Sequence, residues 1–268
     1  MTDAQKLRNT KLFLLDMDGT LYLGNTVFPY TKEFLQTVKN SGRRYMFITN
    51  NSSKSVEDYI KKLESLGISS TREDFQTSSM ALIYYLQKHN VYKNFYVCGT
   101  ASLKKELANA GFTVTENREQ ANGIIIGYDS ELTYKKLEDV SYLLCTKKDI
   151  FYIATNPDYV CPTEFGSVPD CGSMCDMLYN VARRRPIMIG KPEPLMITLA
   201  AEKAGVPLSQ TAVVGDRIYT DVKSGINAGA LGVLVLSGET TVKMLEDSSV
   251  KPSVVIDDIS KITDALCK

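Results

Sequence analysis

No apolar run in this 268-residue chain approaches the roughly 20 residues that span a bilayer. The first segment, Met1 to Lys11, is polar and lacks the apolar core of a signal segment. Both absences point to a cytoplasmic protein with no membrane partner. An excess of charge is also missing. Lysine and arginine number 31 against 31 acids, so no basic face is expected for nucleic acid, and Arg183-Arg184-Arg185 reads as a solvated helix end. No two of the six cysteines form a C-x-x-C pair, so free thiols in a reducing compartment are expected rather than a zinc or disulfide site. The single histidine, His89, falls at a helix end far in sequence from every motif described below and is not read as a catalyst. There is no fixed-period repeat, low-complexity segment or long linker.

Short β-rich apolar runs alternate with longer amphipathic ones. Strands are predicted at Leu12–Leu15, Tyr45–Thr49, Phe95–Cys98, Gly123–Ile126, Phe151–Ala154, Pro186–Ile189, Thr211–Val214, Gly232–Leu236 and Val254–Ile256. Several lack polar alternation, as strands covered on both faces do. Helices are predicted between them, at Tyr30–Asn40, Ser55–Leu66, Ser78–His89, Ala101–Asn109, Thr133–Cys145, Ser173–Arg183, Pro194–Ala204 and Tyr219–Ala228. This alternation implies an α/β fold with a parallel sheet. The length suits one core carrying a sizeable insertion.

Four strand ends carry chemistry. In Phe13-Leu14-Leu15-Asp16-Met17-Asp18-Gly19-Thr20, Asp16 and Asp18 share one side of an extended chain and converge beyond the strand's carboxyl end, where open α/β sheets hold ligands. Two such carboxylates need a positive partner, and a hard cation such as Mg²⁺ suits oxygen ligands. A calcium loop is excluded because its twelfth position is Val27 rather than glutamate; a plain Asp-Gly turn stays open on this motif alone. In Thr49-Asn50-Asn51-Ser52, hydroxyl and amide groups can bind a phosphate oxygen without adding negative charge, although an N-cap cluster would look the same. Lys191, in Gly190-Lys191-Pro192, is a phosphate-binding charge or a surface lysine. In Gly215-Asp216-Arg217-Ile218-Tyr219-Thr220-Asp221, Asp216 is placed to ligate metal. Three roles stay open for Asp221: ligating through a metal-bound water, orienting Lys191, or capping the next helix.

The order of these types along the chain resembles the haloacid dehalogenase-like phosphatases, whose pattern is Asp-x-Asp-Gly-Thr, a Thr or Ser, a Lys, and Gly-Asp with a further Asp. The wording around Thr49, Lys191 and Asp216 is similar to the NagD-like, or 4-nitrophenylphosphatase-like, branch. The resemblance implies a Rossmann-like parallel-sheet core, residues 1–78 and 185–268, with a smaller α/β cap domain inserted at 79–184. It implies a Mg²⁺-dependent phosphatase acting on small phosphorylated metabolites. Asp16 would be the nucleophile and Asp18 the general acid and base. Thr49, Asn50 and Lys191 would bind the phosphate. Asp16, Asp216 and the backbone carbonyl of Asp18 would hold the metal, with Asp221 behind them. Within the cap, Tyr128, Asp129, Asn156, Asp158 and Tyr159 lie near turns that can face a substrate, although turn chemistry alone accounts for them. The resemblance also allows a homodimer. A phosphomutase on the same core, or a phospho-accepting receiver-like module, are the alternatives.

Overall fold

The computed structural model describes residues 1–91, 93–163 and 165–267. The chain forms two compact units. The first comprises Met1–Thr49, Ile60–Gln76 and Lys191–Lys268; the second comprises Asn50–Tyr59 and Thr77–Gly190. Among the described residues no helix is long and apolar enough to cross a membrane.

The first unit is built on a six-stranded sheet ordered Val254–Ile256, Leu231–Val235, Thr211–Gly215, Leu12–Leu15, Arg44–Thr49 and Phe75–Thr77. All four residues of Leu12–Leu15 are buried, as a central parallel strand requires when helices cover both faces. This strand pairs in parallel with Thr211–Gly215 on one side and Arg44–Thr49 on the other. The chain therefore leaves the central strand in opposite directions, first toward Phe75–Thr77 and later toward Val254–Ile256. Open sheets hold their ligands at such a switch point. Phe13 meets Phe34 of the Thr31–Asn40 helix edge-on, with ring centroids 6.1 Å apart, tying that helix to the sheet.

The second unit has its own five-stranded sheet, ordered Ile187–Met188, Phe151–Ala154, Gly123–Ile126, Asn94–Cys98 and Thr113–Thr115, with every pairing parallel. An antiparallel pair, Val160–Thr163 with Gly166–Pro169, is appended to it. The unit's core gathers Ile124, Ile126, Val140, Leu143, Tyr152, Met174 and Leu178. Cys98, Cys171 and Cys175 are packed there as free thiols. Burial pushes the Cys98 thiol up to about 12, with the Asp129 carboxylate adding to the effect, so it behaves as a small apolar side chain.

The α/β class expected from the alternation is what the structure has. His89 caps the Ser78–Lys88 helix, its ring 4.4 Å from that of Tyr85.

Candidate active site

Register brings the chemistry-bearing residues of the first unit together. Leu15 stands opposite Val214 on one neighbour and Phe47 on the other, so the residues after each strand emerge at the same sheet edge. The Asp16 N–H still donates to the Val214 carbonyl at 2.9 Å, which fixes Asp16 where its strand ends. Beyond it the chain turns through Gly19, whose φ of +81° favours glycine, and a Cβ there would collide with the Asp216 carboxylate.

Asp216 follows Thr211–Gly215 directly. A widened helical turn over Ile218–Val222 then brings Asp221 back toward the sheet edge, its N–H donating to the Arg217 carbonyl at 3.0 Å. The predicted Tyr219–Ala228 helix thus starts as a π-turn and becomes α-helical only over Lys223–Ala228. Such turns recur at functional sites because they re-aim a side chain that regular helical spacing would point elsewhere.

Lys191 enters this group almost fully buried. Its Nζ donates to Asp16 Oδ1 at 2.8 Å and to Asp221 Oδ1 at 2.6 Å. Burial opposes the charge, but the two carboxylates outweigh it and hold the ammonium above the usual lysine range. Lys191 is not a surface lysine.

The three carboxylates are not equivalent. Asp16, Asp216 and Asp221 each offer an oxygen within 4.8 Å of the others. Asp221 has both oxygens engaged, Oδ1 by Lys191 and Oδ2 by the Arg217 N–H at 3.1 Å. Asp216 accepts the Glu239 N–H on Oδ2 at 2.6 Å, while its buried Oδ1 has no hydrogen-bond partner. Burial pushes the Asp16 carboxyl up to about 6, with nearby Asp221 adding to the rise and Lys191, by its charge and its hydrogen bond, opposing it. Burial, then Asp16 and Asp221, push Asp216 up to about 8. An all-oxygen donor set, excess negative charge and a buried oxygen without a donor are what a hard divalent cation satisfies. The residues therefore fit a hard divalent cation such as Mg²⁺. Asp221 serves as the counter-charge that holds Lys191.

The other expected residues lie as follows. The Asp18 carboxylate is half-exposed, with Lys62 Nζ 3.9 Å away. Lys62 is itself held over the Tyr22 ring at 4.2 Å. Thr49 ends the Arg44–Thr49 strand and is buried. Asn50 belongs to the second unit, where its amide donates to Asp158 Oδ2 at 3.0 Å and its carbonyl accepts from Ser78 Oγ at 2.6 Å. Of the cap positions, Asp129 pairs with Lys136 at 2.7 Å and Asn156 donates to Asp170 at 3.2 Å, so both side chains are engaged within their own unit. Tyr159 is exposed. No sequence pattern marks Lys62, Arg217 or Glu239 as part of the site. Lys62 looks like a surface helix lysine, and Glu239 lies in a glycine-containing loop with no pattern to mark it.

Comparison with known proteins agrees with this geometry. Residues 13–113 match a family model described as haloacid dehalogenase-like hydrolase, and residues 188–262 match one described as HAD-hydrolase-like. The 5'-nucleotidase YutF of Bacillus subtilis (strain 168) is 33% identical over 255 residues, 95% of this chain and 98% of that protein. An acid sugar phosphatase of Staphylococcus aureus (strain USA300) is 31% identical over 255 residues, covering 95% and 97% of the two chains. The crystal structure of 4-nitrophenylphosphatase from Thermotoga maritima superposes with a TM-score of 0.92 at 39% identity, covering 97% of this chain and 99% of that one.

With a parallel sheet ending in clustered acids around a buried lysine, and relatives matched over nearly their whole length, the chain belongs to the haloacid dehalogenase-like hydrolases. Within them it is a phosphatase of the NagD-like, or 4-nitrophenylphosphatase-like, branch.

Proposed function

We propose that this chain hydrolyses phosphate monoesters of small metabolites, sugar phosphates or nucleotides, through an aspartyl-phosphate on Asp16 with Mg²⁺ as cofactor. The observation that carries the reading is the bridge from Lys191 to Asp16 and Asp221, buried beside an Asp216 oxygen that has no donor. A carboxylate nucleophile splits a difficult displacement into two easier ones. Lys191 steers one oxygen of Asp16 and leaves the other for attack. Lys191, Thr49 and Asn50 hold the phosphoryl oxygens as charge shifts among them. Asp18, two residues beyond Asp16 and half-exposed, gives a proton to the leaving oxygen and takes one from the attacking water. Mg²⁺, when bound by Asp16, Asp216 and the Asp18 carbonyl, supplies the positive charge against which two anions can meet. The insertion, residues 79–184, is proposed as the cap domain that selects the leaving group. The six free cysteines suit a reducing compartment, and the cytoplasm is proposed as the location.

The test is phosphate release from a panel of sugar phosphates, nucleoside monophosphates and an aryl phosphate, with Mg²⁺ and with chelator. Release from several compounds, abolished by chelation, is expected. A folded, Mg²⁺-loaded protein that releases phosphate from none of them contradicts the reading.

The same carboxylates make metal binding proton-linked. Burial and mutual repulsion push Asp216 up to about 8 and Asp16 up to about 6 in the metal-free site, which favours a retained proton that Mg²⁺ must displace. These are acids raised above their unfolded values. Their contribution to metal-free stability is therefore full below the ordinary value of 3.8 and is lost as pH rises from there through about 6 for Asp16 and about 8 for Asp216. Mg²⁺ affinity should rise over the same window and level off above it. Calorimetric titration at pH 7 in two buffers of different ionisation heat should show net proton release, whereas identical heats in both would contradict the linkage.

A further inference from the structure

We propose that Glu239 is a positioning residue for the metal-binding carboxylate of Asp216, acting through an ion pair with Arg217. The inference rests on Asp216 being a metal ligand.

A carboxylate presents one oxygen to a cation reliably only if its other oxygen is held. In Asp216 the holding group is the Glu239 backbone N–H, 2.6 Å from Oδ2, which leaves Oδ1 buried and without a donor. The Glu239 amide belongs to the loop after Leu231–Val235, which has no strand or helix ladder of its own to keep it in place. What fixes it is a set of contacts to the segment around Asp216. Thr240 N–H donates to the Asp216 carbonyl at 3.2 Å, and Thr240 Oγ1 accepts the Ile218 N–H at 3.2 Å. Ser237 Oγ donates to the Gly19 carbonyl at 2.7 Å. Gly238 packs so closely on Asp216 that a Cβ would collide with the carboxylate.

The Glu239 side chain completes this arrangement. Arg217 Nε lies 2.8 Å from Oε2, and the Tyr219 hydroxyl donates to Oε1 at 2.5 Å. Both oxygens are thus committed to residues within three positions of Asp216. Because Arg217 is bonded to Asp216 in the chain, the contacts close a ring. It runs from the Asp216 backbone through the Arg217 and Glu239 side chains to the Glu239 N–H, then back to the Asp216 carboxylate. A partly exposed ion pair such as this one contributes modestly to global stability. Its effect here should instead appear where the ring ends, in how well Asp216 Oδ1 is aimed. Groups that orient metal ligands in this way typically change metal affinity by about 10- to 100-fold.

The experiment is calorimetric titration of the metal-free full-length protein with MgCl₂, without substrate, for wild type, Glu239→Ala, Arg217→Met, the double variant and Asp216→Asn. Glu239→Ala should raise the Mg²⁺ dissociation constant about ten-fold, and Arg217→Met by a similar factor. The double variant should be no weaker than the worse single, because both break one ring. If Asp216→Asn loses Mg²⁺ binding while Glu239→Ala stays within a factor of about two of wild type, the positioning role is overturned and the metal site stands. If Asp216→Asn binds Mg²⁺ as wild type does, the metal reading itself fails and the positioning role with it. Should Glu239→Ala not fold, Glu239→Gln replaces it, with a shift of about three-fold expected and an unchanged constant overturning the proposal. A lower melting temperature with an unchanged Mg²⁺ constant also overturns it.

Discussion

Asp16→Asn should lower phosphate release by at least about 10³-fold while leaving the protein folded. The amide keeps the shape of the carboxylate and can still accept from Lys191 through its oxygen, so packing around the Leu12–Leu15 strand end is preserved. It cannot attack phosphorus to form an acyl-phosphate. It also removes one of three crowded carboxylates, which relieves the repulsion that raises Asp216. Thermal stability of the metal-free variant should therefore match or exceed that of wild type. The pair of readouts matters: lost turnover with retained stability marks a chemical role, while lost turnover with lost stability would mark a structural one. Steady-state rates on an aryl phosphate and a melting curve decide between them.

Lys191→Met should have the largest effect on stability, about 3–5 kcal/mol, as is typical when one partner of a buried ion pair is removed. Methionine fills much of the lysine stem's volume, so the loss is chiefly electrostatic. Without the ammonium, Asp16 and Asp221 lose their bonds at 2.8 and 2.6 Å, and three carboxylates remain within 4.8 Å of one another. The carboxyls of Asp16 and Asp216, already raised, must then rise further, because protonation is the relief left to them. Acids with raised folded pKa values destabilise as pH climbs, so the variant's deficit should be larger at pH 8 than at pH 5. Urea unfolding of metal-free protein at both values tests this. Equal deficits would mean that Lys191 acts by packing alone.

The chemistry-bearing residues are legible in the sequence because each follows an apolar run that only a buried strand explains, and strand order at a switch point then gathers them. Leu12–Leu15 and Thr211–Gly215 announce Asp16 and Asp216 in this way. Elements whose stability comes from their neighbours are not legible. Val160–Thr163 and Gly166–Pro169 carry two prolines and a glycine and read as loop, yet they pair antiparallel. The short Asp3–Asn9 and Ser260–Leu266 helices are marginal alone and depend on packing against the first unit. The π-turn at Ile218–Val222 escapes a reading based on 3.6-residue periodicity because it breaks that period. The half-exposed placement of Asp18 beside Lys62, and the Glu239–Arg217 pair, join residues distant in sequence; no local pattern encodes them.

The covalent step on Asp16 is the centre of the account. It is tested most directly by mixing wild-type enzyme with a ³²P-labelled phosphate monoester and Mg²⁺, quenching in acid on the millisecond scale, and mapping the label. The account predicts an acid-trapped, hydroxylamine-labile phosphoryl group on the peptide carrying Asp16, absent from Asp16→Asn. Full turnover with no label on that peptide at any quench time would contradict it.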